Sequence, residues 1–143
     1  MDRALLVAYR IGDGRILLDQ IRREGLDYLC AFWLFTNDNQ KWELNIVSQE
    51  VITKGLKDCY WPVIRAVKAL PDLRIESSEV TLLEPRRPIA REAVRQLARY
   101  PSEKGMWVES TMFGRTYVES MYIYPQTPSN QPAQAAAESR SPI

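Results

Sequence analysis

The sequence predicts an α+β domain over residues 1–124, a mainly antiparallel sheet of about five strands with three helices packed on it, and a disordered tail over 125–143. Three observations carry that prediction. Residues 28–47 and 106–124 are each a pair of apolar-rich runs hinged on turn chemistry, the pattern of hairpins. Three other stretches set apolar residues at helical spacing. From Pro125 the chain holds four prolines, no aromatic residue and the run Gln134-Ala135-Ala136-Ala137, too little apolar surface to offset the entropy of ordering.

Residues 4–9 suit either strand or helix, and Gly12 with Gly14 should break the chain before a first helix striped by Ile16, Leu17, Leu18 and Ile21. Gly25 suits its C-cap. Residues 28–35 are a continuous aromatic and aliphatic run, hence a strand, and 36–40 are turn residues. Pairing Thr36 with Lys41 sets Phe35 opposite Trp42, Trp33 opposite Leu44 and Ala31 opposite Ile46, a consistent core face. The reverse face carries Tyr28, Cys30, Phe32 and Leu34 on the first strand against Glu43, Asn45 and Val47 on the second. A strand apolar on both sides belongs at the centre of a covered sheet, or presents part of its outer face for docking.

Leu56, Tyr60, Val63, Ile64 and Val67 lie at helical spacing within 55–70, where Pro62 should kink the helix or open a shorter one near Trp61. Residues 79–84 form a short strand closed by Pro85. Pro88 then opens the third helix and pushes Arg87 out of helical conformation, and Pro101 with Gly105 ends it. The last hairpin turns on Gly114-Arg115, a glycine-first pair suited to type II′. With that two-residue turn Trp107 faces Tyr122, Glu109 faces Ser120 and Ser110 faces Glu119. Met106, Val108, Met112, Tyr117, Met121 and Ile123 then form the core face, and Trp107, Val118, Tyr122 and Tyr124 lie on the other side with Glu109, Thr111 and Ser120.

Gly12-Asp13-Gly14, Ala31-Phe32-Trp33, Trp42-Glu43-Leu44 and Gly55 ahead of a tyrosine-bearing helix punctuate the segment 13–70. Over that segment, under half of the chain, the sequence resembles a scattered set of small bacterial proteins of unassigned function. The resemblance implies a bacterial origin and a shared fold. Its motifs are structural punctuation and aromatic core, so no functional residue comes across with it.

Composition excludes more chemistry than it suggests. The chain has no histidine, which removes Ser-His-Asp and Cys-His nucleophilic systems, histidine metal sites and the usual neutral-pH base. Cys30 and Cys59 stand singly, without metal-site spacing, and are expected to be reduced, buried thiols. Gly12-Asp13-Gly14 lacks the further glycine of a dinucleotide-binding turn. Glu109 and Glu119 are the one carboxylate pair to consider, and the two-residue turn sends them to opposite sides of the sheet. The expectation is therefore a non-enzyme without cofactor. No secretory signal precedes residue 10 and no apolar run approaches the ~18 residues of a membrane span, so a soluble, cytoplasmic protein with no membrane partner is expected.

What remains is a row of arginines. Arg87, Arg91, Arg95 and Arg99 recur every fourth residue along the third helix, with Arg86 beside them. At about 100° per residue they keep to one arc, while Ile89, Ala93, Val94, Leu97 and Tyr100 fill the opposite one. Like charges at that spacing repel by a few tenths of a kcal/mol per pair, and those nearest the helix N-terminus also oppose the macrodipole. Glu92 alone offers local relief. Acids elsewhere in the fold, solvent or an external anion must neutralise the rest.

Arginine, tryptophan and tyrosine dominate interface energetics. The expected function is thus that of a non-catalytic adaptor or accessory protein docking onto another protein. Its surfaces would be Arg86, Arg87, Arg91, Arg95 and Arg99 together with the sheet aromatics Trp107, Tyr122 and Tyr124. The alternative is a nucleic-acid-associated protein whose row meets successive phosphates; with a net charge of only +1, it would have to segregate its basic residues. A carboxylate-dependent enzyme is the third reading. An apolar outer sheet face would serve a homodimer equally well.

Overall fold

The computed structural model describes residues 8–36, 40–100 and 104–125; the expected tail beyond 125, loop residues 37–39 and Pro101 lie outside them. Helix α1 (Ala8–Arg23) leads into a hairpin of β1 (Cys30–Thr36) and β2 (Lys41–Val47). A one-turn helix α2 (Glu50–Lys54), the longer α3 (Leu56–Ala69) and a 3-10 turn (Ser77–Glu79) reach β3 (Val80–Leu83). Helix α4 (Pro88–Arg99) and a second hairpin, β4 (Met106–Phe113) and β5 (Thr116–Ile123), complete the domain. The strands lie in the order β3-β2-β1-β5-β4. Neighbours are antiparallel except β2 and β3, which run parallel because α2 and α3 carry the chain across between them.

The doubly apolar strand is the central one. Its register with β2 pairs Phe35 with Trp42, Trp33 with Leu44 and Ala31 with Ile46, as the turn and apolar pattern require. On one face Trp33 and Phe35 meet Leu17, Leu18 and Ile21 of α1 and Cys59, Val63 and Ala66 of α3. On the other, Cys30 and Phe32 meet Ala90, Ala93 and Leu97 of α4, with Met121 and Ile123 of β5 beside them. Trp33 and Phe32 are both fully buried, and each removes enough apolar surface from water to contribute about 1.5–3 kcal/mol. The two free cysteines sit in opposite core layers, so neither is placed to bridge the other. Among the described residues no helix is long and apolar enough to cross a membrane.

The first helix departs from expectation. Gly12 and Gly14 do not break the chain: α1 runs through both. Gly14 is buried, and a Cβ there would overlap the hydroxyl of Tyr124. That hydroxyl accepts from Trp33 Nε1 at 2.8 Å and donates to the Ile11 carbonyl at 2.6 Å, so the missing side chain makes room for a buried bond between helix and sheet. Helix α3 spans the expected residues and continues through Pro62, whose missing N–H would otherwise have met the Asp58 carbonyl; of the two outcomes expected there, a shorter helix opening near Trp61 is the one that does not occur. Burial of Cys59, Val63 and Ala66 on one side holds it in place. Its Tyr60 hydroxyl donates to the Val80 carbonyl and accepts from the Leu82 N–H, closing the outer edge of β3.

The second hairpin keeps the expected register but not the expected faces. Trp107 pairs with Tyr122 and Glu109 with Ser120 about the Gly114-Arg115 turn, where Gly114 has φ +65°. Ser110, however, adopts φ +49° and drops out of the ladder. Met106 and Val108 before it face α4, and past it Phe113 and Val118 do so. Met112 and Tyr117, expected in the core, are 60% and 61% exposed. The face turned to α4 shifts by one position on both strands, with the left-handed Ser110 at the crossover on β4, while the pairing is unchanged.

Candidate functional site

Pro88 fixes its own φ and forces the residue before it to stay extended, so α4 starts abruptly: Arg87 has φ −62° and ψ 138°. The Arg91 N–H then donates to the Arg87 carbonyl at 2.8 Å. Ala90, Ala93 and Leu97 are buried against the sheet and Ile89 and Val94 partly so, which turns the arginines outward. Tyr100, expected on the buried arc, is 56% exposed. The helix ends at Arg99, residue 100 leaves its track with φ −126°, and the Arg99 guanidinium lies 5.9 Å from the Tyr100 ring centre.

The row does not act as a unit. Arg95 closes onto Glu92, with Nε 3.1 Å from Oε1 and Nη2 2.8 and 2.9 Å from the two oxygens. Gln96 Nε2 also donates to Glu92 at 2.6 Å. The Gln96 bond first, and Arg95 after it, hold the Glu92 carboxyl below its ordinary value against the opposing effect of desolvation. Arg86 is drawn back onto Glu84, 2.9 Å from Nε and 2.8 Å from Nη2. Exposed pairs of this kind contribute no more than about 1 kcal/mol, so their effect is to orient. Among the described residues, no acid meets Arg87 or Arg91.

The second hairpin brings a further arginine to the start of α4. Gly114 packs against the first turn so closely that a Cβ would stand 3.2 Å from Glu92 Cβ and 3.3 Å from the Pro88 carbonyl oxygen. Its neighbour Arg115 thereby joins Arg86, Pro88, Arg91, Glu92 and Gly114 around an open cavity of about 460 Å³. Arg115, too, meets no acid among the described residues. On the other flank, Arg87 and Glu84 border a second cavity of about 290 Å³ whose remaining walls are Val51, Leu56, Leu82 and Leu83. Leu56 is 49% exposed at its mouth. Arg115 is the residue that spacing along the chain does not reveal: its turn is recognisable, but its neighbours are set by how the hairpin folds over α4.

The aromatic residues lie elsewhere. Phe35, Trp42, Trp107, Tyr122 and Tyr124 form a chain of tilted and edge-on contacts, with Trp107 and Tyr122 ring centres 5.1 Å apart and Tyr122 and Tyr124 5.3 Å apart. This chain belongs to the core layer under α1 and α3, opposite α4. Tyr124, expected on the surface, is 4% exposed, because its hydroxyl is tied to Trp33 and Ile11. Trp107 and Tyr122 are partly buried against the same layer. The arginine row and the aromatics therefore lie on opposite faces of the sheet and do not form one surface.

Neither thiol is poised for nucleophilic chemistry. Burial pushes Cys30 up to about 12 and raises Cys59 as well, so both stay protonated near neutrality. Among the described residues no group of three or more His, Cys, Asp or Glu could hold a metal ion. Around the start of α4, three arginines line one cavity, and Arg87 borders another whose walls are otherwise mostly aliphatic residues of α2, α3 and β3. No family model, no curated protein and no solved structure matches the chain.

Proposed function

We propose that the protein is a non-catalytic adaptor or accessory subunit that docks onto an acidic partner protein through the start of α4, the β4–β5 turn and the groove beside Arg87. The observation that carries this reading is adjacency. Arg87 borders an aliphatic groove walled by Val51, Leu56, Leu82 and Leu83, its chain neighbours Arg86 and Pro88 line the cavity of Arg91 and Arg115, and none of Arg87, Arg91 and Arg115 meets an acid among the described residues. An interface of an apolar centre with arginine beside it needs both, whereas a row of phosphates has no use for the leucines. The pairing of Arg86 and Arg95 with Glu84 and Glu92 also leaves fewer cations to release counterions from a nucleic acid.

Affinity capture by the full chain from its native host, beside the double variant Arg91→Glu/Arg115→Glu and the single variant Leu56→Asp, tests the proposal. A defined protein partner should be retained by the wild type, lost by both variants and released progressively as salt is raised. A partner held equally by both variants, or bound material released by nuclease, contradicts it.

A further inference from the structure

The cavity between α4 and the β4–β5 turn is built more narrowly than a general cationic patch. Arg91 comes from the helix, Arg115 from the hairpin turn and Arg86 from the loop before the helix, so three arginines from separate points of the backbone line one void. Arg86 is fixed by its bonds to Glu84, and the close packing of Gly114 on Pro88 and Glu92 fixes the hairpin against the helix. The one acid in the lining, Glu92, has both oxygens taken by Arg95 and Gln96. Its charge is thereby matched by Arg95, and neither Arg91 nor Arg115 meets an acid among the described residues.

We infer that this cavity binds the dianionic phosphate group of a phosphomonoester, with Arg91 and Arg115 as principal donors and Arg86 as the third. A carboxylate has two oxygens and is satisfied by one guanidinium fork; a terminal phosphate offers three oxygens and about two negative charges, which matches the two uncompensated guanidiniums of Arg91 and Arg115, with the N–H groups of Arg86 not engaged by Glu84 as a further source of donors. A void of about 460 Å³ also leaves room for the group that carries the phosphate. The inference rests on the reading of this surface as a docking face and names what the partner presents there.

Titration of the 15N-labelled full chain with phenyl phosphate, and separately with benzoate at matched ionic strength, tests it, read at the Gly114 and Arg115 amides and at the Arg91 Nε. Phenyl phosphate should shift these signals saturably and bind about tenfold or more tighter than benzoate, with affinity falling as pH drops below the second phosphate ionisation near 6. Arg91→Gln and Arg115→Gln, both at exposed positions, should each weaken binding about tenfold. Arg99→Gln, two turns further along the helix, should change it less than about twofold. Equal affinity for benzoate, or equal losses at Arg99 and Arg91, would overturn the inference. Displacement of phenyl phosphate by an oligothymidylate without terminal phosphate would overturn it too, by making the surface a phosphodiester site.

A phosphoserine peptide bound more tightly than phenyl phosphate, and far more tightly than its serine form, places the group on a protein; equal binding places it on a small ester, and either result keeps the site. The two readings fail separately. Absent phosphate binding with partner capture still lost in the Leu56 and Arg91/Arg115 variants removes only the phosphate. Phosphate binding with partner capture indifferent to those variants removes the docking face.

Discussion

Gly12 and Gly14 differ by two positions on α1 and by everything that surrounds them. Nothing lies within 4 Å of a Cβ placed on Gly12, whereas one on Gly14 would overlap the Tyr124 hydroxyl and stand 3.1 Å from both the Tyr124 ring and Trp33 Nε1. Gly12→Ala should therefore stabilise the protein by about 1 kcal/mol, the ordinary helical preference for alanine. Gly14→Ala gains the same preference but overpacks a rigid aromatic pair, for a net loss of about 1–2 kcal/mol. Tyr124→Phe removes the acceptor of the Trp33 N–H and should itself cost about 1–3 kcal/mol. Because the phenylalanine also vacates the space the new methyl needs, the double variant Gly14→Ala/Tyr124→Phe should lose less than the sum of its parts. Urea unfolding of the four variants checks the signs, and strict additivity at Gly14 and Tyr124 would mean that the helix does not rest on that hydroxyl.

At the scale of elements, the β4–β5 hairpin separates what a sequence shows from what it hides. Its register follows from the Gly114-Arg115 turn and was legible; its faces were not, because the alternation shifts at Ser110, and a serine does not announce φ +49°. Holding a non-glycine residue there costs about 1–2 kcal/mol. Ser110→Gly should be neutral or stabilising by up to about 1 kcal/mol, and Ser110→Val should cost about 2 kcal/mol or more, since a β-branched residue is excluded from that region and favours resetting the strand to its regular alternation. Equal tolerance of the two in urea unfolding would show that the strand is regular. The candidate site divides the same way. Helical spacing exposes the arginines of α4 because it is a local property, but the arrival of Arg115 depends on a hairpin placed by β1–β5 pairing, and the separation of Trp107 and Tyr122 from the row depends on which helix covers which face.

For the whole molecule the decisive question is whether α4 seals its side of the sheet, because the site stands on that helix. Cys30 reports on it from beneath, among Phe32, Ala90, Ala93 and Leu97. An unfolded thiol loses its proton near pH ~8.5, while burial holds the folded one up to about 12. Between those values the unfolded chain binds fewer protons than the folded one, so stability is fully present below about pH 8.5 and falls as pH rises toward 12, by up to about 1.4 kcal/mol per pH unit. Cys59, Tyr28 and Tyr124, all raised by burial, push the same way, the tyrosines from about pH 10 upward. With no histidine to titrate, the curve should be nearly flat between about pH 6 and 8. Urea midpoints measured from about pH 7 to 10.5 should thus show an alkaline descent that begins near 8.5 in the wild type and is shallower up to about 10 in Cys30→Ala, whatever the constant cost of the lost sulfur. Parallel descents in the two proteins would mean that the thiol ionises as freely in the folded state as in the unfolded one. In that event α4 does not cover the sheet, and the geometry that brings Arg91 and Arg115 together goes with it.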